Sequence, residues 1–141
     1  MARISLVTIC VDDVARSAAF YEALGFRRKA RGAQGVAFFE AGNVILSLWT
    51  AAEMGKDAGV AIERPRGFIP MTLAWNCASP EEVDAAVARV VAAGARVVRE
   101  PQKVFWGGYT AYFADPDGHL WEIAHNPDFP LDEDSRLKLP D

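Results

Sequence analysis

Histidine and cysteine are scarce here, with two of each in 141 residues. Cys10 and Cys77 both sit in apolar, strand-like runs, which fits two buried free thiols in a cytoplasmic protein better than a disulfide or redox pair. There is no basic run. The net charge is −4, with acids scattered through the body and gathered at the end, so neither nucleic acid nor an anionic membrane is an expected partner. No apolar segment approaches the ~20 residues of a membrane span. Met1-Ala2-Arg3 leads into a strand-like run rather than a signal peptide. What is present is an apolar half (51%) and an aromatic tenth (11%), enough for one folded domain with a core.

The most informative stretch is Tyr109 to His125, YTAYFADPDGHLWEIAH. Tyr109–Phe113 and Leu120–Ala124 read as strands. Asp115-Pro116-Asp117-Gly118 between them has turn chemistry: proline pre-sets φ, aspartate bonds its own backbone, and glycine accepts positive φ. Glu122 is the exception within an apolar strand. Alternation puts it on one face with Leu120 and Ala124. If that face is inward, the carboxylate must be paired, metal-bound or protonated; otherwise the face lines solvent.

Taken in order, Ile4–Val11 is a buried strand, and Asp12 or Asp13 caps a helix running to about Leu24, stopped by Gly25. Phe26–Ala30 is a charged strand, and Val36–Glu40 with Val44–Trp49 forms a hairpin. Thr50–Gly67 shows no period and reads as a mobile linker with room for a helical turn. Ile69–Asn76 is a strand. Ser79-Pro80-Glu81-Glu82 opens a helix ending at Gly94, Arg96–Arg99 is a strand, and Pro101–Gly108 a loop. The order β-α-β-β-β occurs twice, an internal duplication. Matching Gly42 to Gly118 sets Leu46 opposite Glu122.

With the order in place, three motifs carry a resemblance: VDDVARSAAFY at 11–21, LGF at 24–26 and DPDGHLWEI at 115–123. The chain resembles the vicinal oxygen chelate superfamily of glyoxalase I, bleomycin-resistance proteins and extradiol dioxygenases over about residues 3 to 126. The resemblance implies an α+β fold of two tandem βαβββ modules, their mixed sheet curled around a shared cavity, often in a homodimer. Module one then covers about 3–50, a linker about 51–68 and module two about 69–126, followed by an extended tail at 127–141. The family's metalloenzymes hold a divalent ion through one ligand from the first and one from the last strand of each module. Glu122 matches the last of these. The other positions fall on Leu6 and Leu46 and on a strand, Ile69–Cys77, without His or carboxylate. His119 and His125 are out of phase with Glu122. One carboxylate does not make a site for a metal that wants three or four N or O ligands, so no metal and no cofactor is expected.

A cavity without metal can still bind. Trp49, Trp75, Trp106 and Trp121 lie in or beside strands, with Phe105, Tyr109 and Tyr112 near the last hairpin. Trp49, Trp75, Phe105, Trp106, Tyr109 and Glu122 are the candidate ligand-binding residues, although each ring taken singly also suits core or dimer interface. Phe105-Trp106-Gly107-Gly108-Tyr109 is the best placed, as rings on a flexible loop are expected to cover a ligand or a partner subunit. Three functions follow. One is a metal-free protein binding a small molecule between aromatic walls, with Glu122 meeting a cation or hydroxyl of the ligand, or an Arg or Tyr of the cavity. Another is a lyase or isomerase with Glu122 as a lone general base. The third is a metal site rearranged around Glu122 from His119, His125 or the acidic tail. The tail, NPDFPLDEDSRLKLPD, is either extended over the surface or a partner through Phe129, Leu131, Leu137 and Leu139, or frayed in water.

Overall fold

The computed structural model describes residues 1–64 and 67–141. It divides into two compact units, Met1–Arg66 and Gly67–Asp141.

In the first unit, the β-branched run LVTIC forms β1 (Leu6–Cys10). Asp13 stops the chain and caps α1 (Val14–Ala23) by accepting the Arg16 amide at 2.9 Å. Gly25, at φ 98, lets the chain leave the helix toward β2 (Arg27–Lys29). β3 (Ala37–Ala41) and β4 (Val44–Trp49) make the expected hairpin, and the strands order as β1-β4-β3-β2 with β1 parallel to β4. Tyr21 of α1 is fully buried against the rings of Phe26 and Phe39. That contact shows which face of the sheet α1 covers: Phe39 and its register partner Leu46 point toward the helix.

The second unit repeats the arrangement, with β5 (Thr72–Asn76), α3 (Pro80–Ala92), β6 (Arg96–Lys103), β7 (Tyr109–Ala114) and β8 (Leu120–His125) ordered β5-β8-β7-β6 and β5 parallel to β8. Ser79 caps α3 by accepting the Glu82 amide at 3.2 Å, while the Glu82 carboxylate accepts the Ala78 amide at 2.8 Å. Tyr109 of β7 donates to Asp84 of α3 at 2.8 Å, so the odd-numbered residues of β7 face the helix. Ala111, Phe113, Trp121 and Ile123 share that face and are buried, with Phe113 and Trp121 stacked at 5.9 Å. In the β7–β8 turn, Asp115 Oδ1 accepts the amides of Asp117 and His119 at 3.0 and 2.8 Å, and Gly118 takes φ 86.

The expected α+β class and the pair of βαβββ modules are thus the observed architecture. Three local expectations change. The linker contains a full helix, α2 (Ala51–Ala58), capped by Thr50 and ended by Gly59 in the left-handed region. It has eight residues and buries none of them, so its few apolar positions are too short a run to mark a helix in the sequence. Pro65 and Arg66, within the same expected linker, lie outside the described residues. β6 runs on to Lys103 through a segment expected to be loop: Pro101 lies on an edge strand, where its missing N–H costs no ladder bond. In the tail, Leu131 bridges Leu137, and Asp132 Oδ1 accepts the amides of Asp134 and Arg136 at 2.9 Å each.

Candidate functional site

Glu122 pairs across the sheet with Ala74 of β5 on one side and Tyr112 of β7 on the other, and Tyr112 pairs in turn with Arg99 of β6. Four strands therefore set Arg99, Tyr112, Glu122 and Ala74 in one row. The even phase of β7 and β8 turns this row away from α3. Adjacent strands lie about 4.8 Å apart, so neighbours in the row are within side-chain reach.

The row is chemically connected. Tyr112 and Glu122 are register partners on adjacent strands, and the Glu122 side chain acts on the Tyr112 phenol. The Arg99 guanidinium lies over the Tyr112 ring, 5.1 Å from its centroid, and one of its terminal nitrogens donates to the Thr110 hydroxyl. Burial raises the Tyr112 phenol above its ordinary value, and the nearby Glu122 charge adds to this while Arg99 opposes it. Tyr112 consequently stays protonated at neutral pH, so its hydroxyl is available as a donor. Glu122 beside it is an acceptor, since a carboxylate has about four lone-pair sites.

Of the other residues expected to bind ligand, the four in the second unit, Trp75, Phe105, Trp106 and Tyr109, do not share the Glu122 row. Trp75 pairs with Ile123 and Tyr109 with His125, which puts both on the α3 face. Trp49, paired with Cys10, is in the first unit, on the sheet face opposite α1. Phe105 and Trp106 form the tip of the β6–β7 hairpin, where Val104 and Gly107 close a turn at 3.0 Å. Phe105 is fully exposed. Trp106 folds back over its own hairpin: a Cβ on Gly108 would come within 2.1 Å of the indole, so only glycine fits there.

Tyr112, Arg99 and Thr110 are the neighbours that sequence reasoning did not place in the site. Tyr112 was within reach. Counting outward from a turn centred on Asp117 pairs Tyr112 with Glu122, as the register confirms. Arg99 was not, because β6 departs from regular register on both sides of it.

The register also corrects the match between modules. Glu122 pairs with Ala74 and Tyr112; the residue so placed in the first sheet is Ser47, paired with Thr8 and Phe38. Leu46 faces α1 instead. Matching by glycine slipped one residue because Gly42 sits in a two-residue turn between Ala41 and Val44, whereas Gly118 sits in the five residues between Ala114 and Leu120. A one-residue slip moves a side chain to the other face.

These strands do not offer a donor set that fits the divalent ion known in the resembling enzymes. Glu122 is one carboxylate, Ser47 and Leu6 stand at their positions in the first unit, and β5 contributes no His or carboxylate. His125 is in the odd phase, with Nδ1 3.3 Å from the Cys77 carbonyl, and His119 is buried in the turn. Among the described residues, no three His, Cys, Asp or Glu side chains are grouped to hold a metal ion.

The Glyoxalase/Bleomycin resistance protein/Dioxygenase superfamily profile matches residues 3–123. A glyoxalase-related enzyme from Fulvimarina pelagi is similar at 32% identity, covering 100% of both chains with a TM-score of 0.90. A glyoxalase/bleomycin resistance protein/dioxygenase from Nocardioides is similar at 32% identity over 89% of this chain and 83% of its own, TM-score 0.76. A lactoylglutathione lyase from Agrobacterium tumefaciens, at 23% identity over 89% of this chain and 95% of its own, shares the fold with a TM-score of 0.69. No curated protein matches the chain. No helix among the described residues is long and apolar enough to cross a membrane.

Proposed function

This chain belongs to the Glyoxalase/Bleomycin resistance protein/Dioxygenase superfamily, and from that premise we propose that it binds a small organic molecule, without a metal ion, on the face of the second sheet opposite α3. The observation that carries this reading is the Arg99–Tyr112–Glu122 row, a connected cation, phenol and carboxylate on consecutive strands. Such a row costs free energy to assemble and contributes little to a core, whereas convergent polar groups on a rigid sheet are what orient a ligand. Glu122 is the centre of recognition and accepts a hydrogen bond from the ligand.

The pairing of Tyr112 with Glu122 on adjacent strands also favours a second reading, in which the two perform lyase or isomerase chemistry. Glu122 takes a proton from the substrate, and the protonated phenol, held beside it, supplies a hydrogen bond to the charge that develops. One experiment separates the two. A thermal-shift screen of small organic compounds in EDTA identifies a binder, and its affinity is compared in wild type and Glu122→Gln. Binding should weaken roughly tenfold or more in the variant, the usual loss for a hydrogen bond to a charged group. If the binder is also turned over by wild type and not by Glu122→Gln, the second reading holds. Equal affinity in both proteins contradicts the first reading, and equal turnover in both contradicts the second.

A further inference from the structure

Arg99 reaches the row because β6 is irregular. The register runs Arg96 to Ala114 and Val97 to Phe113, then resumes at Arg99 to Tyr112 and again at Gln102 to Thr110. Each step inserts an extra residue into β6. Strict alternation from Val97 would return Arg99 to the α3 face; the extra residue, Val98, moves it to the face of Tyr112 and Glu122. Bulges interrupt the hydrogen-bond ladder, and one of their recurrent uses is to re-aim a side chain beside a site. Here two of them bracket a single cation.

That cation is held but not neutralised. Arg27, Arg31, Arg64 and Arg136 each pair with a carboxylate. Arg99 has no ion pair with a carboxylate among the described residues; its contacts are the Thr110 hydroxyl, the Glu100 carbonyl at 3.4 Å and the Tyr112 ring. A guanidinium has five N–H donors in a rigid fork, so several remain for a ligand. Its place over the Tyr112 ring and its bond to Thr110 hold the guanidinium in position, which favours bidentate recognition of a carboxylate. Glu122, two strands away in the same row, repels a bare anion and rewards a ligand that brings a donor next to its charge.

Resting on the reading of this face as the binding site, we propose that the ligand is a small organic acid with a hydroxyl or amino group near its carboxylate. Arg99 takes the carboxylate and Glu122 accepts from the neighbouring donor. This chemistry excludes inorganic anions, neutral aromatics and simple cations as preferred ligands.

Mandelate, its methyl ester and phenylacetate test the idea as matched probes, titrated into the full chain by calorimetry, with amide chemical shifts reporting location. Mandelate should bind, with the ester and phenylacetate each weaker by roughly tenfold or more. Arg99→Gln should cut mandelate affinity by a similar factor and leave the ester unchanged, and Arg99→Lys should fall between. Unchanged amide dispersion in the variants shows that they fold; should Arg99→Gln unfold, the acid-to-ester ratio in wild type decides. An ester that binds as well as the acid, an Arg99→Gln protein that binds mandelate normally, or no binding by any probe overturns the proposal. If either of the first two failures comes with probe-induced shifts at Tyr112 and Glu122, the site reading survives and only the ligand class falls. Shifts confined to other parts of the chain remove both.

Discussion

A carboxylate in the middle of an apolar strand calls for a polar neighbour, and the register sets Tyr112 beside Glu122. The residue was legible as an oddity because Leu120, Trp121, Ile123 and Ala124 surround it. Its partner was legible only through the register of the hairpin. The aromatic residues divide between faces for a physical reason: rings are common in strands whatever the face, and neither count nor proximity says which way each points. Trp75 and Tyr109 are in phase with the α3 core, while Tyr112 and Thr110, one position along from Tyr109 and Ala111, are in phase with Glu122. Cys77 is a further consequence of burial at this scale. Burial, with the Glu82 charge adding to it, pushes the thiol from 9.0 up to about 11. The unfolded chain then loses this proton first as pH rises, so the contribution to stability is intact below pH 9 and is lost between pH 9 and about 11. Urea unfolding across that range should show wild type losing stability more steeply than Cys77→Ala, with matching slopes below it. Parallel curves throughout would contradict the assignment.

Elements with strong local signals were read correctly, and those without were not. α3 carries its own start signal in Ser79-Pro80-Glu81-Glu82 and an apolar stripe of Val83, Val87 and Val90. Ser79→Ala should therefore cost about 1 kcal/mol of stability, measured by urea unfolding at pH 7; no loss would mean that the Glu82 bond to Ala78 holds the helix end alone. α2 has a cap but no buried stripe, and its existence depends on Thr50 and Gly59 rather than on pattern. β6 is the instructive failure. Its proline, charges and two bulges hide a strand of eight residues, and those same irregularities place Arg99. Local reasoning fails there because the departure from regular alternation is what builds the row.

At the scale of the chain, the duplication explains why two sheets share one strand order and why their equivalent positions have diverged. Ser47 and Glu122 occupy the same place in the two registers, flanked by Thr8 and Phe38 in one sheet and by Ala74 and Tyr112 in the other. The fold is thus retained twice, while the side chains at this matched position have diverged. Family membership brings an expectation of metal chemistry that these positions do not support, and the function proposed here depends on the organic side chains alone. The most direct test is an amide chemical-shift titration of the full chain with mandelate in excess EDTA. The account predicts saturable shifts centred on Ala74, Arg99, Tyr112 and Glu122, identical with and without the chelator. Shifts that vanish in EDTA and return with a stoichiometric divalent ion would contradict it.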